Sequence, residues 1–422
     1  MFMDKIQCIK QPNGLVVINM DTLLYKVVPY SEITKMADAG YLNNLLSDLD
    51  GKPYQSALIP FEDKKDVIPH IITSYNCNYK CSYCYQKTQK MGKEYMTNDH
   101  IENILLFYHN YDQIFETNTR IKRVGVSGGE PLLPQNKDLI KGIISTWDSI
   151  PIDFTTNGAF IEFYESILKN HKKITLTVSV DGVKNIHYIY RKPMDDSYYD
   201  LMIKGVDWAL SERIPVTISS VFHPEFLDYY SFLFDKLETI GWMKNDLLQV
   251  RFSLLASGVG EDVDLNYLDR TLHAITLLKK KDTRINNVDL SRLLPGCREL
   301  FSALFNANTK HMYTPYKCDA LHSPSYTFTP NGTVLLCSCI DNESGIVGRF
   351  WPEIEIYVDR IQEIRNRRID TLAKCNNCVK RVMCKGGCLA TALSKGYPLK
   401  GVYCGMWEDP TFLKSIESFW PL

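Results

Sequence analysis

Hydrophobic and polar residues alternate in different ways along the chain, and the changes divide it into regions. Residues 1–66 hold two β-rich runs, Gly14–Ile18 and Leu23–Val28, followed by a helical pattern over Ser31–Leu49. From residue 67 to about residue 258, short apolar runs alternate with amphipathic helical patterns such as Asn98–Tyr111 and Tyr198–Glu212. We predict a small satellite (1–66), an α/β domain (67–258), a helical linker (259–307) and a cysteine-rich domain (308–422).

The α/β domain is predicted to contain six strands in series, each followed by a helix. Serial β/α units imply a parallel sheet with right-handed crossovers, and functional residues are expected where the strands end. Because the alternation stops near Gly258, the predicted fold class is α/β, with a partial barrel of six units and not a complete barrel of eight. The predicted strands are Val67–Thr73, Ile121–Ser127, Ile152–Thr156, Ile174–Ser179, Val216–Val221 and Val250–Leu254.

Composition narrows the class of protein. The chain has 422 residues, and 48 Lys and Arg against 49 Asp and Glu leave a net charge of −1, so no overall field attracts nucleic acid or an anionic membrane. No apolar run approaches the roughly 20 residues of a membrane span, and the N-terminus lacks a secretory signal pattern. We expect a cytoplasmic protein with no nucleic-acid or membrane partner.

The cysteines carry most of the chemical information. The chain has 13 of them, an odd number, and without an export signal metal binding or thiol reactivity is a better interpretation than disulfides. Three lie in the sequence CNYKCSYC, as Cys77, Cys81 and Cys84, just after the first predicted strand. Sulfur ligands select zinc, copper(I) or an iron–sulfur cluster. Structural zinc, which usually takes four protein ligands, is the alternative to a cluster that keeps one iron free.

A glycine pair follows the second predicted strand, in the sequence VGVSGGEPLL from Val124 to Leu133. Gly128 and Gly129 allow either a tight turn or a close approach of the backbone to another group. Together with Cys-x3-Cys-x-aromatic-Cys, in which Tyr83 is the aromatic residue, this GGEP sequence resembles the signatures of the radical S-adenosylmethionine (radical SAM) enzymes. The resemblance implies a β/α barrel, a [4Fe–4S] cluster on the three cysteines, and S-adenosyl-L-methionine bound to the free iron.

The same resemblance suggests which residues contact the cofactor. The GGEP residues Gly128, Gly129, Glu130 and Pro131 would hold the amino group of its methionyl part, and the close approach would require the glycines. Ser179 and Arg191 would contact its carboxylate or ribose, with Asn157 nearby. For Asn157 and Asp181, capping of a turn after a strand remains the alternative to direct contact. His187 is expected to be structural, since no metal-ligand spacing accompanies it.

A second group of cysteines lies near the C-terminus, around a hairpin turn predicted at Asn331-Gly332. A zinc ribbon is one interpretation of its Cys-x2-Cys spacing. The whole pattern resembles the seven-cysteine SPASM domain, which implies two auxiliary [4Fe–4S] clusters and thus three clusters in all. By that resemblance the outer cluster is held by Cys375, Cys378, Cys384 and Cys404, and the inner cluster by Cys318, Cys337 and Cys388.

The inner set lacks an eighth cysteine, because Pro324 stands where one often occurs. The inner cluster would then have an open iron, unless Cys339 or the more distant Cys297 completes it. We predict Cys339 to lie on a strand with Cys337, so that both thiols face one side.

SPASM-bearing radical SAM enzymes mostly modify peptides and proteins, so the leading hypothesis is a maturase that crosslinks a ribosomally made precursor peptide, most simply through a thioether. A 5′-deoxyadenosyl radical would take hydrogen from the peptide, and an external donor of the flavodoxin or ferredoxin type would supply electrons. The satellite is a candidate for gripping a leader peptide by strand addition. An anaerobic sulfatase-maturing enzyme is the rival, although Ser338 replaces the aspartate that follows the corresponding cysteine there. A non-enzymatic electron carrier is the third class and would not need GGEP.

Overall fold

The computed structural model describes residues 6–11, 14–19, 25–50, 66–87, 94–255, 264–292, 318–340, 343–376, 378 and 384–408. The N-terminal part is a three-stranded antiparallel sheet in the order β1-β2-β3, followed by short helices that cover it. Val17 and Val28 of the sheet pack on Leu45 and Leu49 in a small core of their own. The elements are β1 Ile6–Gln11, β2 Gly14–Asn19, β3 Tyr25–Pro29, α1 Tyr30–Ile33 and α2 Ala39–Asp48.

The larger part is built on one eleven-stranded sheet, and the seven strands that residues 70–292 contribute to it run parallel with helices between them. The strands from residue 66 to residue 292 are β4 Asp66–Val67, β5 His70–Ile72, β6 Tyr79–Cys81, β7 Arg120–Ile121, β8 Val124–Ser127, β9 Ile152–Thr156, β10 Ile174–Ser179, β11 Arg191–Pro193, β12 Val216–Phe222, β13 Leu248–Leu254 and β14 Val288–Arg292. The helices are α3 Asn98–Phe115, α4 Lys137–Thr146, α5 Glu165–Leu168, α6 Lys184–Tyr190, α7 Tyr198–Ser211, α8 Leu227–Thr239 and α9 Leu265–Lys281.

Residue periodicity explains these elements. Buried and half-buried residues alternate along β10 and β12, as expected for strands whose side chains point to opposite faces. On α3, Ile101, Ile104, Tyr108 and Tyr111 recur at spacings of three and four and are all buried against the sheet. The parallel strands follow the order β14-β13-β12-β10-β9-β8-β5, so the segments after their carboxyl ends share one edge of the sheet.

The six strands predicted for the α/β domain are confirmed, and β9 and β10 have the predicted bounds. The prediction that the alternation ends near Gly258 is wrong. After β13 the chain forms α9 and then β14, which pairs in parallel with β13 and adds a seventh parallel strand. The segment predicted as a linker therefore contributes one more β/α unit to the sheet.

The cysteine-rich region extends the same sheet at its other end. Its strands are β15 Thr327–Phe328, β16 Thr333–Leu335, β17 Ile346–Arg349 and β18 Glu355–Ile356, and its helices are α10 Val358–Arg365 and α11 Leu389–Ser394. The strand β15 pairs in parallel with β5, and β15 to β18 form an antiparallel meander. The predicted hairpin turn is confirmed, with Gly332 at a φ of +81°. Among the described residues, no helix has the length and apolar character needed to cross a membrane.

Candidate active site

The first cysteine group lies on the loop that follows β5, at the edge where the parallel strands end. Part of this loop is the short strand β6, which pairs antiparallel with β11 so that Cys81 lies opposite Arg191. The Tyr79 N–H donates to the Cys77 sulfur at 3.4 Å. Burial, the nearby Glu130 carboxylate and the thiols of Cys81 and Cys84 raise the pKa of Cys77 to about 12, against a lowering by that N–H. The three predicted cluster ligands therefore come together at this edge.

The glycine pair after β8 packs directly on this loop. A Cβ on Gly128 would come within 3.0 Å of Ser74 O, and one on Gly129 within 3.0 Å of Asn76 O, and Gly128 has a φ of +145°. The Gly129 N–H donates to Ser74 O and the Glu130 N–H to Asn76 O, each at 2.8 Å. The close backbone approach that requires glycine is thus an approach to the chain's own cysteine loop. Contact of these residues with a cofactor stays a prediction.

Glu130 connects the ends of two neighbouring strands. Its carboxylate is 1% exposed and accepts hydrogen bonds from Leu132 N–H at 2.9 Å, Thr156 Oγ1 at 2.6 Å and Asn157 N–H at 2.7 Å. Burial nevertheless raises the pKa of Glu130 to about 7, and the three donors reduce that shift. The next residue, Pro131, is buried, and its carbonyl accepts from Asn136 Nδ2 at 3.0 Å. The acid of GGEP is an internal hydrogen-bond acceptor in this structure.

Asn157, which follows β9, also contacts the cysteine loop. Its Oδ1 accepts from the Ala159 N–H at 3.1 Å, which caps the turn after the strand as one of the two predicted alternatives requires. Its Nδ2 donates to Asn78 Oδ1, in the cysteine loop, at 2.7 Å. Asn157 is 6% exposed, and it fixes the position of the loop relative to β9.

Asp181, which follows β10, joins the cysteine loop to two more strand ends. Its buried carboxylate accepts hydrogen bonds from Tyr83 Oη, from Arg191 Nε at 2.8 Å and from Val221 N–H at 2.9 Å. Burial alone would raise the pKa of Asp181, but the Arg191 charge and these donors outweigh it and lower that pKa. The guanidinium of Arg191 also lies over the Tyr83 ring, 5.3 Å from its centroid, and its Nη1 is 3.9 Å from the Cys81 sulfur.

Two other predicted residues lie near this network. Ser179 is the last residue of β10 and is half-buried. His187 accepts from the Asp181 N–H at 3.2 Å and packs edge-on against Tyr79 and Tyr199, as expected of a structural histidine.

His223, which directly follows β12, was not among the predicted site residues. Its side chain is fully buried and stacks on the Tyr190 ring at 3.6 Å, and neither ring nitrogen has a hydrogen-bond partner among the described residues. The only available signal was the position of this polar residue, two positions after the end of a predicted strand.

The four cysteines predicted for the outer cluster come together after α10. Burial, followed by the neighbouring thiols of Cys384, Cys378 and Cys404, raises the pKa of Cys375 to about 11. Gly386 and Gly387, between Cys384 and Cys388, have φ values of +78° and +74°, so the chain folds back sharply beside these thiols.

The inner group forms around the turn after β16. The neighbouring Cys339 thiol, followed by burial, raises the pKa of Cys337, as does the nearby Cys388. The prediction that Cys339 lies on a strand is wrong, because it lies in a turn closed by the Ile340 N–H and Cys337 O. The two thiols nevertheless meet. Pro324 is buried where an eighth cysteine is absent, and Cys297 lies outside the described residues.

The donor set of the three cysteine groups fits iron–sulfur clusters. All ligand positions are thiols, and within the part of the chain that the structure describes no three His, Cys, Asp or Glu side chains converge closely enough for a single metal ion. Thiolates are the usual protein ligands of iron–sulfur clusters.

Comparison with known proteins agrees with this geometry. Residues 71–231 match the model of the radical SAM superfamily. The GTP 3',8-cyclase of Campylobacter jejuni subsp. doylei is 29% identical over 168 residues, which are 39% of this chain and 49% of that protein. The GTP 3',8-cyclase of Staphylococcus epidermidis is 24% identical over 234 residues, 54% of this chain and 61% of that protein. The chain thus spans about half the length of the first of these curated relatives.

Solved structures match more of the chain, at low identity. SuiB of Streptococcus suis bound to the precursor peptide SuiA has a TM-score of 0.59 and 16% identity, covering 95% of this chain and 98% of that one. The anSMEcpe structure with bound AdoMet has a TM-score of 0.58 and 16% identity, covering 84% of this chain and 95% of that one. At 16% identity, the similarity to these two structures is a similarity of fold.

Proposed function

We propose that this chain, which carries a radical SAM domain, is a peptide maturase that forms a thioether crosslink in a precursor peptide. Cys77, Cys81 and Cys84 would hold the catalytic [4Fe–4S] cluster, with S-adenosyl-L-methionine beside the GGEP segment. When bound, these groups supply a radical that abstracts hydrogen, while the protein positions the substrate and excludes water. The outer and inner cysteine groups would hold two auxiliary [4Fe–4S] clusters.

The observation that carries this proposal is the position of Tyr85 between the two parts of the molecule. Tyr85 follows Cys84 directly, and β5, the strand that leads into this loop, pairs with β15 of the cysteine-rich region. Burial, followed by the nearby thiols of Cys339, Cys84 and Cys337, raises the pKa of Tyr85, so this residue lies close to both groups. A peptide bound beside Tyr85 would therefore reach both the radical site and the inner group. An electron carrier has no need of such an arrangement.

The satellite supports a peptide substrate. Its sheet has β2 in the centre, which leaves β1 and β3 as its edges among the described strands, and an extended peptide can add to such an edge. The SuiB structure that was solved with a precursor peptide covers 95% of this chain. The uncovered share is smaller than the satellite, so at least part of the satellite is matched as well. We propose that the satellite binds the leader part of the substrate by strand addition.

An inner cluster held by Cys318, Cys337 and Cys388 would have one iron open to a cysteine thiolate of the peptide. Such binding would hold the sulfur while hydrogen is removed from a neighbouring carbon. The reaction consumes one S-adenosylmethionine, forms methionine and 5′-deoxyadenosine, and releases the thiol proton. The electron that starts the reaction is returned when the carbon–sulfur bond closes.

Cys339, whose sulfur meets that of Cys337, is the competing fourth ligand. Spectroscopy of the reduced inner cluster separates the two arrangements, with and without a short cysteine peptide. A spectrum that changes with the peptide in the unmodified protein supports the open site. A spectrum that is unaltered by the peptide, but that changes in the Cys339→Ala variant, supports a cluster closed by Cys339.

Formylglycine formation is the second candidate, favoured by the likeness to anSMEcpe over 84% of this chain. Ser338 after Cys337 counts against it. Mass spectrometry decides between the two, using anaerobically reconstituted protein, S-adenosylmethionine, a reductant and cysteine-bearing peptides encoded beside the gene. A thioether removes two hydrogens and keeps the sulfur, whereas formylglycine made from cysteine loses the sulfur. Formation of 5′-deoxyadenosine with an unchanged peptide in every case would contradict both candidates.

A further inference from the structure

Arg367 is among the most deeply buried charged side chains that the structure describes. It follows α10, is 1% exposed, and ties together two segments of the cysteine-rich region. Its Nη2 donates to Gly386 O at 2.8 Å and to Gly401 O at 2.9 Å, and its Nε donates to Leu399 O at 3.0 Å. Gly386 lies between two cluster cysteines in sequence, and Gly401 shortly precedes a third, so Arg367 fixes the backbone that carries them.

One nitrogen of the guanidinium makes none of these hydrogen bonds. Nη1 is buried and has no hydrogen-bond partner among the described residues. An unpaired N–H on a buried charged group is costly, so a partner is expected in the protein that holds its clusters. A Cβ on Gly386 would be 3.4 Å from Nη1 and 3.8 Å from the Cys375 sulfur, which places both atoms on the same side of Gly386. Nη1 therefore faces the outer cysteine group.

The ionisable side chains that act on Arg367 are cysteines of the outer and inner groups. Cys375 and Cys384 of the outer group and Cys388 and Cys318 of the inner group act on its guanidinium electrostatically. A guanidinium stays protonated in proteins. A cluster bound by four thiolates is an anion, and its potential depends on net charge and on hydrogen bonds to its sulfurs.

We propose that Arg367 donates its free Nη1–H to a sulfur of the outer auxiliary cluster and thereby raises the reduction potential of that cluster. The inference rests on the proposed auxiliary clusters. It assigns to Arg367 a positioning role, because the guanidinium both orders the loops and offsets the negative charge that reduction adds.

The test is a redox titration of the auxiliary clusters, followed by electron paramagnetic resonance, in protein whose Cys77, Cys81 and Cys84 are all changed to Ala. In that background Arg367→Met should make the reduction equilibrium of the outer cluster at least tenfold less favourable, which is about 59 mV for a one-electron couple. Arg367→Lys keeps the charge and should give a smaller shift. Arg368→Met is the matched control, since Arg368 is the next residue and pairs with Asp370 at 2.9 Å; it should leave the potential unchanged.

A second measurement needs no variant at position 367. In protein labelled with guanidino-¹⁵N arginine, electron–nuclear double resonance of the reduced outer cluster should show a coupled nitrogen. No coupled nitrogen, or a full iron content with an unchanged potential in Arg367→Met, would overturn the inference alone. If the unmodified protein binds only the four irons expected of the first cluster, both the auxiliary clusters and this inference are overturned.

Discussion

Replacing Glu130 by Gln isolates the cost of burying its carboxylate. Burial raises the pKa of Glu130 from 4.5 to about 7, although three donors face the carboxylate. Because its pKa is higher in the folded protein than in the unfolded chain, the folded state binds the proton more tightly. The free energy of unfolding is therefore highest below the unfolded pKa and falls as the pH rises toward the folded one. A rise from 4.5 to about 7 is worth about 3 kcal/mol in this group.

Glu130→Gln removes the titration while keeping the shape of the side chain. Its amide will also face a backbone N–H at Asn157, which adds an offset that does not depend on pH, so the test lies in the slope. Urea unfolding of iron-loaded protein, from about pH 5 to about pH 8, should show wild-type stability falling relative to the variant by up to about 3 kcal/mol.

Glu162→Gln is the control, because Glu162 is exposed and should produce no such slope. A stability difference between wild type and Glu130→Gln that stays constant over this pH range would refute the reasoning. It would mean that the three hydrogen bonds keep Glu130 ionised in the folded protein throughout.

Three further outcomes are expected. Asp181→Asn leaves the largely buried Arg191 without its carboxylate and should cost about 3–5 kcal/mol in urea unfolding. Asp200→Asn removes an exposed pair with Lys184 and should cost at most about 1 kcal/mol; equal costs would contradict the buried-pair account. Gly129→Ala forces the loop at Asn76 away and should reduce iron bound by the first group, measured as iron per chain together with 5′-deoxyadenosine formed; full retention of both would show that the loop yields. Changing Cys77, Cys81 and Cys84 together to Ala should remove about four of about twelve irons and abolish 5′-deoxyadenosine formation; zinc as the main metal in protein purified without oxygen would contradict the cluster assignment.

The strands were predictable where their pattern is strong. The runs that became β9 and β10 are rich in β-branched residues and are followed by turn formers, so their ends could be predicted directly. The strand β14, by contrast, carries an aspartate, a serine and an arginine in five residues. Only its pairing with β13 makes it a strand, and that pairing is tertiary information.

The polar partners in the site could not be predicted for a similar reason. Motif spacing identifies Glu130 and Asp181 as residues of interest. Their hydrogen bonds, however, reach Asn157 and Val221, 27 and 40 positions away in the sequence. Arg367 has no motif around it, and its importance follows from burial and from an unpaired nitrogen, neither of which a single sequence displays.

The pairing of β15 with β5 joins the cysteine-rich region to the parallel sheet. The two strands are neighbours in the structure although they are far apart in the sequence. On its other side β5 pairs with β8, so this strand is interior only while residues 327–328 are present. A chain cut before residue 318 would turn β5 into an open edge with the fully buried Ile71 and Ile72 on it, directly before the cysteine loop. Such edges recruit strands from other molecules. The chain without its cysteine-rich region is therefore expected to aggregate, because β15 no longer covers the edge of β5.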